Sequence, residues 1–338
     1  MMLSRLTAIV IASVFVFSAA GMAETIDIKS GTPAGVQQLL RRDYAMGKTV
    51  VKGVLTFPAG KRDKVPAMVI VHGSGGISDS REGEWARRFN ALGIAALVVD
   101  SFGPRGIANT STDQSKLSTW ANVADALNAL KVLAADPRID GTRIGIIGFS
   151  KGGQVSLYTA LEIVRKSVID DDLKFAIHVP LYPACNTRFV ASAVTGAPLS
   201  VHLAEKDDYT PIGPCQEYAR WFEGKGVSVK TTVYPDAYHA FDASHFGFVN
   251  WLKDVQTARN CSVETDLNSW KSKRLDTNEV FPNVQALNAY YGRCMQRGAH
   301  VGGTPEARQQ VVENVLKVLE DTLTSGAAAE YPKDAGNH

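Results

Sequence analysis

The chain has 338 residues, 45% of them hydrophobic and 21% charged, with a formal net charge of +2. That composition is enough to bury a full core, and its near-balanced charge gives no reason to expect nucleic acid or an anionic membrane as a partner. One large α/β domain fits this length.

At the start, Arg5 precedes an apolar stretch over residues 6–17, and small residues follow at Ser18, Ala19, Ala20, Gly21 and Ala23. This is the pattern of a secretory signal peptide, residues 1–23, with cleavage expected after Ala23 and Ala20 as the second choice. A transmembrane anchor needs about 20 apolar residues, and this run is shorter. The mature protein, 35 basic against 34 acidic residues once Arg5 is gone, is expected in the periplasm or outside the cell, with no membrane anchor left.

Strand patterns follow at 49–57 and 65–71, the second running into His72-Gly73-Ser74-Gly75-Gly76. A glycine-rich turn after a central strand is where a backbone N–H belongs for the oxyanion of an acyl-transfer intermediate. Ser74 is the assigned donor, with Gly73 and Gly75 as alternatives. A phosphate-binding turn is disfavoured, because neither G-x-x-x-x-G-K-[ST] nor G-x-G-x-x-G in a βαβ context occurs. After a helix at 81–92 comes a strand at 94–99 and then Asp100-Ser101-Phe102-Gly103-Pro104-Arg105-Gly106. The Arg105 guanidinium there reads either as a loop salt bridge or as a ligand for a substrate carboxylate.

A helix at 119–133 leads to a strand at 143–147 and to Gly148-Phe149-Ser150-Lys151-Gly152-Gly153, which continues as a helix over 152–164. Strand, G-x-S-x-G and helix in that order form a nucleophile elbow: a tight turn in which small neighbours let strand and helix approach while the serine Oγ stays exposed. Serine is a useful nucleophile only with an imidazole to take its proton and a carboxylate to hold the imidazole. Both lie downstream. A strand at 199–203 ends before Asp207, and a strand at 227–234 is followed by His239. Ser150, Asp207 and His239 therefore stand in the order of α/β-hydrolases, with the backbone N–H of Lys151 as the second oxyanion donor. Asp208 is the alternative acid, and His245 and His300 are the alternative bases. His178 and His202, inside strand patterns, read as core or strand-end residues.

Taken together, the turn at 72–76, the loop at 100–106, Asp136-Pro137-Arg138-Ile139-Asp140, the serine elbow, Asp207-Asp208-Tyr209-Thr210-Pro211 and His239-Ala240-Phe241-Asp242 resemble the dienelactone hydrolase family over 49–242. The resemblance implies a doubly wound, mostly parallel sheet with helices on both faces, the triad at the carboxyl ends of its strands, and hydrolysis of small-molecule esters or lactones. The founding enzymes carry a cysteine where this chain has Ser150 and a glutamate where it has Gly73, so dienelactone itself is not the expected substrate. No metal or organic cofactor is implied. The rivals are a peptidase of the related prolyl-oligopeptidase branch, which usually adds a large propeller for which the stretch before residue 49 is too short, and a non-catalytic ligand-binding protein on the same fold.

Four cysteines, Cys185, Cys215, Cys261 and Cys294, allow three disulfide connectivities. Export favours disulfides over free thiols. Cys185 lies past the strand pattern at 175–181 and Cys215 begins the helix at 211–224, so the favoured pairs are Cys185–Cys215 and Cys261–Cys294. Zinc is disfavoured because no C-x-x-C occurs. Residues 243–300 break the strand–helix rhythm and show no clear strand; they read as a cap-like insertion in the hydrolase domain (24–325), either structural padding or a wall of the substrate pocket. A helix at 304–323 closes the domain, and the tail, 326–338, is expected to be disordered.

Overall fold

A computed structural model describes residues 23–60 and 64–324. The expected signal peptide, apart from Ala23, and the expected tail lie outside the described residues. In chain order the elements are β1 (Ala23–Ser30), α1 (Val36–Arg41), β2 (Thr49–Thr56), β3 (Val65–Val71), α2 (Glu84–Ala91), β4 (Ala95–Asp100), α3 (Thr119–Ala135), β5 (Ile139–Phe149), α4 (Lys151–Tyr158), α5 (Glu162–Lys166) and β6 (His178–Leu181). Then come β7 (Thr187–Val190), β8 (Leu199–Ala204), α6 (Ile212–Gly224), β9 (Val229–Tyr234), β10 (Asn250–Thr257), β11 (Val263–Asp266), β12 (Ser272–Arg274), α7 (Val284–Cys294), β13 (Gln296–Val301) and α8 (Pro305–Leu319).

The main sheet has eight strands in the order β1-β2-β4-β3-β5-β6-β8-β9. From β4 to β9 all pairings are parallel; β1 and β2 join antiparallel at one edge. Every residue of β3 is buried, as a central strand covered on both faces requires. Its side chains divide by the two-residue period: Ala67, Val69 and Val71 pack with α3, α4 and α6 on one face, Met68 and Ile70 with α2 and α8 on the other. This is the doubly wound sheet, helices on both faces, that the strand–helix alternation implies.

Three parts depart from the sequence pattern. β1, α1 and β7 are elements it does not single out. The helix expected at 152–164 is two, α4 and α5, because Leu161 leaves the helix to bridge Val194 and the Glu162 N–H donates to Ala193 O. Residues 243–300, expected to lack strands, hold four. β10 and β13 pair with each other across a register shift between Leu252 and Gln256, and β11 lies between β12 and β7. These strands are short, half exposed and irregular, so no clean alternation marks them. β11 runs parallel to β7, which belongs to the main chain path, and this non-local pairing ties the insertion to the domain. The sulfurs of Cys185–Cys215 and of Cys261–Cys294 are at bonding distance, in the favoured pairing.

His178 on β6 and His202 on β8 are fully enclosed. Burial, which penalises the imidazolium, depresses them from 6.5 to about 4 and about 3 respectively. Between those values and 6.5 the unfolded chain binds protons that the folded chain does not, so stability rises with pH across that window and is lost as pH falls. Together these two histidines should contribute close to two of the protons taken up on urea unfolding near pH 5, a slope of roughly 2–3 kcal/mol per pH unit. A folded His202→Gln variant should lose about half of that slope; an unchanged slope would refute the assignment.

Candidate active site

The strands of the parallel part end on one side of the sheet, and their loops meet there. Ser150 follows β5 directly, with φ 55° and ψ −112°, a conformation that costs a non-glycine residue of order 1–3 kcal/mol. Two glycines hold it there. A Cβ on Gly148 would stand 2.0 Å from Gly152 O, and one on Gly152 would stand 2.2 Å from Val71 O at the end of β3. The first turn of α4 thus lies against two strand ends, which only glycine permits, and the Ser150 N–H is fixed by Leu181 O of β6 at 3.0 Å.

The structure brings Ser150, His239 and Asp207 together. His239 Nε2 lies 2.8 Å from Ser150 Oγ, and His239 Nδ1 lies 2.8 Å from Asp207 Oδ2. Asp207 Oδ1 also accepts the N–H groups of Tyr209 at 2.9 Å and Thr210 at 2.8 Å, so the carboxylate cannot rotate away from the ring. Nδ1–H to Asp207, with Nε2 as acceptor of the serine O–H, is the tautomer this arrangement calls for. The alternatives lie elsewhere. Asp208 accepts from the His300 Nδ1–H at 2.8 Å, and His245 Nδ1 pairs with Ser80 Oγ at 2.6 Å.

Behind His239 sits a buried polar cluster that sequence reasoning missed. The Tyr182 ring meets the imidazole edge-on with centroids 4.7 Å apart, and its hydroxyl donates to Asp242 Oδ1 at 2.5 Å. The other Asp242 oxygen accepts from Trp85 Nε1–H at 2.8 Å. Burial pushes the Asp242 carboxyl above the usual carboxylate range, against the pull of the Arg81 guanidinium. Asp242 does carry a signal, since it closes the His-Ala-Phe-Asp run; Tyr182 and Trp85 carry none.

At the turn after β3, Gly73 O accepts from the Gly76 N–H at 3.1 Å and from His72 Nδ1–H at 2.8 Å. In a trans peptide the N–H points opposite to the C=O, so the Ser74 N–H faces away from those donors. It has no hydrogen-bond partner among the described residues. The Lys151 N–H opens α4, where no helical carbonyl precedes it. A Cβ on Gly73 would stand 3.0 Å from Phe149 O and 3.4 Å from Ser150 Cβ, so the position where the founding enzymes carry glutamate is tightly enclosed here. Ser74 Oγ itself pairs with the Gln114 amide.

A cavity of about 230 Å³ opens beside Ser150. Its walls include Gln114, Gln154, Thr187 and Tyr209, and the insertion contributes Gln256, Thr257, Tyr291 and Met295, so residues 243–300 form part of the pocket wall. Gln256 also clamps the neighbouring loop: its side-chain oxygen accepts the Gln114 N–H at 2.9 Å. Arg105 is no ligand for substrate. Its five N–H donors go to both Asp125 oxygens, Ser101 O, Gly31 O and Thr32 Oγ1, which makes it the loop salt bridge. Among the described residues no three His, Cys, Asp or Glu side chains converge as a metal site.

The pattern that describes the dienelactone hydrolase family matches residues 51–263, more than half of the chain. Protein usf of Aquifex pyrophilus is 26% identical over 185 residues, 52% of this chain and 76% of that protein. Among solved structures, a dienelactone hydrolase-like promiscuous phosphotriesterase from metagenomic libraries superposes with a TM-score of 0.52 at 15% identity, over 90% of this chain and 100% of that one. A thermophilic esterase from the Planctomycetes species Thermogutta terrifontis gives a TM-score of 0.47 at 16% identity, over 57% of this chain and 80% of that one. At 15% identity, the superposition on the phosphotriesterase attests the fold alone.

Lys151 has a cost that can be measured. Its Nζ is buried and donates to Leu117 O at 2.5 Å, and burial lowers its pKa from 10.5 to about 8. Between those values the unfolded chain holds the proton more firmly, so this group makes stability rise with pH from about 8 upward. Lys151→Met should stabilise the protein by about 2–3 kcal/mol at pH 7 and abolish that rise, as read by urea denaturation at pH 7 and pH 10. A destabilised variant would refute the charge penalty.

Proposed function

The chain belongs to the dienelactone hydrolase family of carboxylic ester hydrolases, and from that premise we propose that it is an exported serine hydrolase that cleaves carboxylic esters or lactones through an acyl-enzyme. The observation that carries the proposal is the hydrogen-bonded line from Ser150 Oγ through His239 to Asp207, each link 2.8 Å. In the reaction, Ser150 Oγ forms a bond to the substrate carbonyl carbon as its proton passes to His239 Nε2. The carbonyl oxygen becomes an oxyanion, held by the N–H groups of Ser74 and Lys151. Asp207 holds the imidazolium and stays ionised. Collapse of the intermediate breaks the bond to the alkoxide leaving group, which takes the proton from His239. Water then repeats the sequence on the acyl-Ser150 ester: His239 removes its proton, the acid departs, and Ser150 regains its hydrogen.

Serine leans on this machinery more than the founding cysteine does, because a thiol is already partly ionised near neutral pH. Export is supported by the leader pattern and by the two disulfides, which leave no cysteine free among the described residues. Among the described residues no helix is long and apolar enough to cross a membrane.

The test is a fluorophosphonate on the purified mature protein, read by intact mass and peptide mapping. One adduct on Ser150, absent in Ser150→Ala, is the expected result. Asp207→Asn should keep the fold and lower kcat on p-nitrophenyl acetate by roughly 10⁴-fold, as loss of the imidazole-orienting carboxylate does in triad enzymes. Folded protein that takes no label would overturn the serine mechanism and bring forward a ligand-binding role.

A further inference from the structure

The cavity beside Ser150 has a neighbour across the Tyr291 ring. Outside it lies a second, larger hollow of about 810 Å³, and Tyr291 lines both. Two elements run from one to the other. On α7, Leu287 faces the outer groove, Tyr291 the junction and, just past the helix end, Met295 the inner cavity; the spacing of four keeps them on one side. On β7, Thr187 lines the inner cavity and Phe189 the outer groove, two residues apart and hence on one face. A single wall therefore extends from the nucleophile past the Tyr291 ring into the groove.

The two halves differ in chemistry. The inner one is small and lined mainly by amides and hydroxyls, and its one cation, the Lys151 ammonium, is turned onto Leu117 O. The outer one has an apolar wall that includes Trp270, Val280, Phe281, Val284 and Leu287, with a polar margin at Gln37, Gln38 and Asn283 and Lys271 as its one charged side chain. Val284 is 59% exposed and Val280 53% exposed, and apolar surface of this kind on a secreted protein calls for an occupant. Its continuity with the reacting serine identifies that occupant as the far end of the substrate.

We propose, building on the serine hydrolase reading above, that the enzyme acts on uncharged esters with one short half held beside Ser150 and one bulky apolar half, alkyl or aryl, laid along α7 in the outer groove. The insertion, which supplies α7 and most of the groove, is then the specificity element. Tyr291 sets the length at which a substrate begins to gain from the groove.

The experiment measures kcat/KM for two ester series below their aggregation concentrations, one lengthening the acyl group of p-nitrophenyl esters, the other the alkyl group of 4-alkylphenyl acetates. In one of the two, kcat/KM should rise about two- to fourfold per methylene once the chain passes the inner cavity, consistent with burial of CH₂ groups. Val284→Glu should cut the ratio of long-chain to acetyl or methyl substrate at least tenfold. Val54→Glu, at an exposed valine on β2 away from the cleft, should leave the ratio as in the unmodified enzyme. Flat length dependence in both series, or a ratio that Val284→Glu does not move, would overturn the groove assignment while fluorophosphonate labelling of Ser150 left the serine mechanism standing. Loss of labelling would overturn both.

Discussion

The contact on which the site depends is the approach of the α4 N-terminus to the ends of β3 and β5. Gly152 sits where a Cβ would be 2.2 Å from Val71 O, and Gly148 where a Cβ would collide with Gly152 O. Because strand and helix are that close, the one residue between them must turn sharply, and Ser150 takes a left-handed φ that presents its Oγ outward. The same approach sets the Lys151 N–H next to the turn at 72–76, so the elbow brings the proposed nucleophile and oxyanion donors together. Strain at Ser150 is tolerated because β3 and the last six residues of β5, which lead into the turn, are buried and cannot relax by sliding.

His239 needs the opposite treatment, a ring held without strain. Asp207 is pinned by two backbone N–H groups, and Tyr182 stands at the ring's edge with its hydroxyl tied to Asp242. Asp242 in turn is bound by Trp85 on α2, so the histidine loop is stitched to the helix layer beneath the sheet. Such a cluster is costly to bury, and it holds only while every member keeps its partner. In the proposed reaction this lets Nε2 gain and lose a proton with little motion of the ring.

The site was legible in the sequence to the extent that it is local. The glycine elbow, the turn at 72–76 and the loops that carry Asp207 and His239 each announce themselves through residues adjacent in the chain, because tight turns and strand ends restrict which side chains can stand there. What was not legible is held by distant partners. β11 is a strand because β7, more than seventy residues earlier, lies beside it, and Cys261–Cys294 closes α7 over that pair. Gln114, Gln256 and Tyr291 reach the cleft from three separate segments and Tyr182 backs His239 from a fourth, and nothing in their own neighbourhoods distinguishes them from surface polar or core aromatic residues.

The charges that the cleft withholds also bear on its chemistry. The family's founding enzymes have a glutamate where this chain has Gly73, a position closed in by Phe149 and Ser150, and Arg105 spends all five donors inside the protein. With the Lys151 ammonium turned onto a carbonyl, no free cation among the described residues lines the cavity to draw in a carboxylate, and an anionic substrate would give up its hydration without a partner. Neutral amides and hydroxyls replace that recognition near the nucleophile, and apolar surface from the insertion replaces it farther out. On the proposed reading, discrimination rests on the shape and length of a cleft whose outer half comes mostly from the insertion after the histidine loop.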